Sequence, residues 1–135
     1  MKTKASILFV LLIAFGKITG YAQVSKSTVV ENVDAKTFSD DIAKNKGQLI
    51  DLRTPAEIEK GYIKGALFID FTDKGYEQEF AKLDKNKVVY LYCAGGGRSS
   101  SAAEYMQEHG FKKIVNLQKG FNDWKKQGQP VELKK

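Results

Sequence analysis

The sequence predicts an α/β domain built on a largely parallel sheet with helices on both faces. Three observations carry that expectation. Short apolar runs alternate with stretches of helical periodicity, caps and glycines punctuate the boundaries, and no repeat or low-complexity linker divides residues 23–135. "STVVENV" (27–33) reads as a short first strand. Asp34 caps "AKTFSDDIAKN", whose Ala35, Phe38 and Ile42 share one face. Gly47 ends that helix, and "QLIDL" (48–52) is the second strand. "TPAEIEKG" (54–61) is a well-signed short helix: Thr54 caps it, Pro55 takes its first position, Glu57 completes a capping box and Gly61 stops it. "GALFID" (65–70) is the third strand, and "KGYEQEFAKLD" (74–84) a helix with Tyr76, Phe80 and Leu83 on one side. "KVVYLY" (87–92) is apolar enough for the centre of a parallel sheet. "RSSSAAEYMQEHG" (98–110) is the next helix and "KKIVNL" (112–117) the last strand. "GFNDWKKQG" (120–128) closes the domain with Phe121 and Trp124 inward.

The 135 residues suit one domain, and 42% hydrophobic with 28% charged residues is a globular profile. The first 22 residues differ in kind. Lys2 and Lys4 precede "ILFVLLIAF" (7–15), and small residues Gly20 and Ala22 follow. That pattern predicts a secretory signal peptide over 1–22, cut after Ala22, and a periplasmic or secreted protein. The apolar run is short of the roughly 20 residues a spanning helix needs, so no membrane span is expected after processing. Losing Lys2, Lys4 and Lys17 lowers the formal charge from +6 to +3. The remaining lysines carry no interleaved aromatics, which argues against nucleic acid as a partner.

Cys93 is the only cysteine, so no internal disulfide and no resolving thiol exist within the chain. One Cys and one His cannot close a tetrahedral zinc shell, and no metal or other cofactor is expected. Cys93 ends a predicted central strand and opens "CAGGGRSSS", the position where ligands bind in open α/β sheets. A reactive sulfur must be a thiolate, and the loop offers three ways to stabilise one. The helix beginning near Ser99 directs unpaired amides and its dipole at the loop. Gly95, Gly96 and Gly97 let successive amides turn inward around one anion. Arg98 adds charge at the rim or braces the loop by bonding its carbonyls. Four residues separate Cys93 from Arg98, one fewer than in the cysteine phosphatase signature, which shortens the loop by up to ~3.5 Å. So small a cradle suits one extra sulfur atom better than a tetrahedral oxyanion, and sulfur transfer is favoured over phosphatase or arsenate reductase chemistry.

"CAGGGRS" resembles the active-site loop of single-domain rhodanese-like sulfurtransferases. "LIDLRTPAEIEKGYIKGALFID" is similar to that family's Asp–x–Arg and Gly–His–Ile–x–Gly–Ala segments, and "GFKKIVNLQKGFNDWKKQGQPVE" to its Gly-Phe … Gly-Gly … Trp ending. The resemblance covers nearly all of residues 23–135. It implies a five-stranded parallel sheet flanked by helices, with a ping-pong reaction. Cys93 takes the outer sulfur of a donor such as thiosulfate, a polysulfide or a persulfide. The resulting persulfide is cradled by Ala94, Gly95, Gly96, Gly97, Arg98 and Ser99. Cyanide, a small thiol or a protein thiol then accepts the sulfur. A sulfur-carrier or interaction module on the same fold, with little small-molecule turnover, is the second reading.

The chain departs from the family pattern at three places. Ala94 stands where many members have a basic residue, which weakens attraction for a dianionic donor. Tyr62 replaces a histidine and Lys119 the first glycine of the Gly-Gly pair. Asp51, Arg53 and Glu57 are read as structural groups near the site, Arg53 pairing with Glu57 or bracing the neighbouring loop. His109 is read as a helix-end residue, and Ser99, Ser100 and Ser101 as capping residues, the first within reach of the persulfide.

Overall fold

The computed structural model describes residues 27–135. Strands and helices alternate: β1 (Val29–Val33), α1 (Ala35–Lys44), β2 (Gln48–Asp51), α2 (Pro55–Ile58), β3 (Leu67–Phe68), α3 (Tyr76–Ala81), β4 (Val89–Tyr92), α4 (Gly97–Glu108), β5 (Lys113–Leu117) and α5 (Gly120–Lys126). The strands form one sheet in the order β1-β5-β4-β2-β3, and every pairing is parallel. The predicted α/β architecture is therefore the observed one. The chain steps outward from β2 to β3, crosses back to β4, and continues outward on the other side to β5. Its direction reverses between β2 and β4, and ligands bind beyond the carboxyl ends of strands at such a reversal.

Alternation along the strands divides the interior in two. Val89 and Leu91 of β4, with Ile50 and Leu52, pack under Phe80 of α3 and Ala102, Ala103 and Met106 of α4. Tyr90 and Tyr92, with Val115 and Leu117, pack under Ala35 and Phe38 of α1 and Phe121 and Trp124 of α5. Phe38 meets Tyr90 and Trp124 edge-on, with ring centroids 5.7 and 6.2 Å apart. All four residues of β4 are buried, as its apolar run requires. The expected caps are present as well. Asp34 accepts the Thr37 amide at 2.7 Å, and Thr54 and Glu57 complete a reciprocal capping box.

Several boundaries differ from expectation, three of them for local reasons. β3 has two residues rather than six and lies at the sheet edge, where Leu67 and Phe68 are exposed. Before it, Gly65 adopts a φ of +88° within a turn closed by the Ala66 amide on the Ile63 carbonyl. After it, Asp70 folds back to accept the Thr72 amide. α3 starts two residues late because Asp73 holds the Gly75 amide in a preceding turn. α4 starts early, at Gly97. The signal peptide expected over 1–22 lies outside the described residues. Among the described residues no helix is long and apolar enough to cross a membrane.

Candidate active site

β4 delivers Cys93 to the carboxyl edge of the sheet at its centre, and strand alternation turns its sulfur to the α3/α4 face. The residue is 1% exposed, so protein groups must replace water around any charge on sulfur. The Gly96 amide donates to Sγ at 3.1 Å and the Ser99 amide at 3.4 Å. The thiol donates to Ser99 Oγ at 3.6 Å. When sulfur is ionised, the hydroxyl rotates and donates in the other direction. Burial pushes the Cys93 pKa up, but the Ser99 hydroxyl and the Ser99, Gly96 and Gly95 amides outweigh it and hold the thiol below its ordinary value.

One glycine of the three creates this geometry. Gly96 has a φ of +106°, and a Cβ there would strike the Gln118 carbonyl. Gly95 and Gly97 have ordinary φ values, and a Cβ on either would meet open space at the loop's outer surface. Gly96 is also the cap of α4, so the serines are first-turn residues rather than caps. Ser99 Oγ and Ser100 Oγ donate back to the Gly96 carbonyl at 3.2 and 2.8 Å. The Ser100 amide donates to the same carbonyl at 3.0 Å. The Gly96–Gly97 peptide is therefore gripped at its oxygen, while the N–H of the preceding peptide, that of Gly96, faces sulfur.

A second clamp comes from α5. The Phe121 and Asn122 amides donate to the Cys93 and Ala94 carbonyls at 2.8 and 3.0 Å. So close an approach needs Gly120, at a φ of +70°, because a Cβ there would collide with both carbonyls. Lys119 has a φ of −97°, so its replacement of a glycine costs nothing in backbone geometry.

Arg53 braces the neighbouring loop, one of its two expected roles, while the ion pairs of both arginines differ from those expected. Arg53 pairs with Asp51 rather than Glu57: Nε lies 2.9 Å from Oδ1 and Nη2 2.7 Å from Oδ2. Arg53 also donates to the Gly61 carbonyl at 2.7 Å and lies over the Phe121 ring at 3.9 Å. Both charges are buried, and together they tie the end of β2 to α5. Glu57 instead takes Arg98 in a two-pronged pair, both N–O distances 2.8 Å. Arg98 thus ties the first turn of α4 to α2 through Glu57 rather than by bonding loop carbonyls. The Arg98 guanidinium holds Glu57 well below the usual carboxylate range, at about 2.

Two polar residues behind the loop escaped the sequence reading. Asn116, fully buried in β5, donates from Nδ2 to Asn32 Oδ1 at 2.9 Å and to Ser100 Oγ at 3.4 Å. Its Oδ1 has no partner among the described residues. The signal was a polar residue interrupting an apolar central strand, since buried polar groups need bonding partners. Tyr62 forms a backbone bridge with Glu132 and sets its ring edge-on to Phe68. His109 ends α4, where its Nδ1 lies 2.7 Å from the Tyr105 carbonyl and its ring stacks on Tyr105.

The family described as rhodanese-like domain matches residues 34–127. A protein named sulfurtransferase from Allochromatium vinosum is 31% identical over 104 residues, covering 76% of this chain and 95% of that one. Among solved structures, a rhodanese-like domain protein from Staphylococcus aureus matches with a TM-score of 0.67 and 28% identity, covering 78% of this chain and 99% of that one. A rhodanese-related protein from Thermoplasma volcanium shares the fold with a TM-score of 0.68 at 24% identity, covering 77% and 99%.

Proposed function

The chain belongs to the rhodanese-like domain family, and from that premise we propose an exported sulfurtransferase that carries sulfane sulfur as a persulfide on Cys93. The observation that carries the reading is the convergence of the Gly96 amide, the Ser99 amide and the Ser99 hydroxyl on one buried sulfur. With thiosulfate as donor, the Cys93 thiolate attacks the sulfane sulfur. A new S–S bond forms as the old one breaks, and sulfite leaves with the electron pair. The terminal sulfur then lies about 2 Å beyond Sγ, beside the sulfur that the Gly95, Gly96 and Ser99 amides face. Cyanide or a thiol attacks that terminal sulfur, leaves as thiocyanate or a persulfide, and returns the thiolate. Atoms and charges balance without a cofactor. A polysulfide or a low-molecular-weight persulfide serves equally in the first half.

Export is part of the proposal and rests on the pattern of Lys2, Lys4 and the apolar run at 7–15. Fractionation of expressing cells should find the protein outside the cytoplasm with Gln23 as its first residue; a cytoplasmic protein retaining Met1 would reject that part. For the chemistry, thiocyanate production from each donor and cyanide should vanish in Cys93→Ser. Production that survives the substitution would reject the role of Cys93. The carrier reading is kept by Ala94 and by the engagement of Arg98 with Glu57, which leave the loop short of free positive charge. A carrier would load once per chain from a partner and show little turnover with small donors.

A further inference from the structure

Resting on the sulfurtransferase reading, we infer that Glu57 is a specificity-determining residue: it withholds the charge of Arg98 from the donor and turns the site toward sulfane-sulfur donors carrying at most one negative charge. Arg98 commits both terminal nitrogens to Glu57 at 2.8 Å. The carboxylate is not free to swing away, because its Oε2 also accepts the Thr54 amide at 2.9 Å and the Thr54 hydroxyl at 3.0 Å. The capping box that starts α2 thus fixes an anion at the rim of the sulfur loop. The other nearby cation, Arg53, is spent on Asp51, and Lys119 lines a groove with Asp34 and Asp123. Ala94 supplies no charge. An approaching thiosulfate dianion meets a closed ion pair instead of a bare guanidinium.

The pair is about a third exposed on either side, so water and salt moderate its field without abolishing it. Thiosulfate and methanethiosulfonate isolate the effect. Both hand over a sulfane sulfur to Cys93, with sulfite leaving in one case and methanesulfinate in the other, and they differ by one negative charge. A unit charge at the rim then discriminates between them by about three- to tenfold.

The test is the ratio of kcat/KM for thiosulfate to that for methanethiosulfonate, in the wild type and in Glu57→Gln. Glutamine keeps one acceptor oxygen for the Thr54 amide and hydroxyl, removes the charge, and turns an NH2 donor toward Arg98 that cannot accept its second prong. The ratio should rise by about three- to tenfold in Glu57→Gln and fall back as salt is added. A general loss of activity or of folding would lower both rates and leave the ratio unchanged. The wild type gives an independent arm: its thiosulfate kcat/KM should vary by less than about twofold between low and physiological salt, because its rim carries no net charge. An unchanged ratio in Glu57→Gln, or a steep salt dependence in the wild type, would overturn the inference. If neither donor loads Cys93 in the wild type, the sulfurtransferase reading fails and the inference falls with it.

Discussion

Replacing Ser99 by alanine removes its hydroxyl from the sulfur cradle and leaves the Gly95, Gly96 and Ser99 amides in place. Ser99 is fully buried, so water does not replace its hydroxyl. The Gly96 carbonyl keeps the Ser100 amide and hydroxyl as partners, and alanine is a good helix residue. The fold should therefore tolerate the change. A hydrogen bond to a charged group contributes about 1.5–3 kcal/mol, and the 3.6 Å separation places this one at the low end. Losing that bond should raise the Cys93 pKa. The sign follows from its cause: the hydroxyl stabilises the thiolate, so its loss moves the thiol upward. Below the midpoint, the thiolate fraction at any pH should fall about tenfold. The assay is the pH dependence of Cys93 alkylation by iodoacetamide. A midpoint unchanged in Ser99→Ala, with the fold intact, would show that the hydroxyl does not stabilise the thiolate.

Two further substitutions test the scaffold. Asp51→Asn leaves the Arg53 guanidinium buried without its counter-charge, and urea unfolding should show a loss of about 3–5 kcal/mol. A loss under about 1 kcal/mol would mean that the pair is not the tie between β2 and α5. Gly120→Ala forces a side chain into the Cys93 and Ala94 carbonyls at a positive φ, which should cost more than about 1 kcal/mol and slow sulfur loading. Unchanged stability and loading would show that the α5 clamp does not hold the loop.

Elements whose signals are local were legible in the sequence. Asp34, three residues before the amide it caps, and the Thr54–Glu57 box each lie within one turn, where side chain and backbone meet regardless of the rest of the fold. The position of Cys93 followed from the apolar run before it and the glycines after it. Contacts made across the sheet were not legible. Glu57 and Arg98 are 41 residues apart and meet because β2 and β4 are neighbours. Its place at a strand end beside the capped helix pointed Arg53 at Glu57, yet β2 ends at Asp51, and the chain turns there so that the arginine folds back on the aspartate. The serines carry a cap-like composition, but the positive φ of Gly96 starts the helix before them. β3 read as longer than it is because apolar residues on an edge strand need not extend the ladder.

The central claim, that Cys93 carries the sulfur, is tested most directly by intact mass. The protein should be weighed before and after exposure to thiosulfate, methanethiosulfonate or polysulfide, and again after cyanide. The account predicts a gain of one sulfur atom with at least one donor, lost on adding cyanide and absent in Cys93→Ser. No gain with any donor, or a gain that persists in Cys93→Ser, would contradict it.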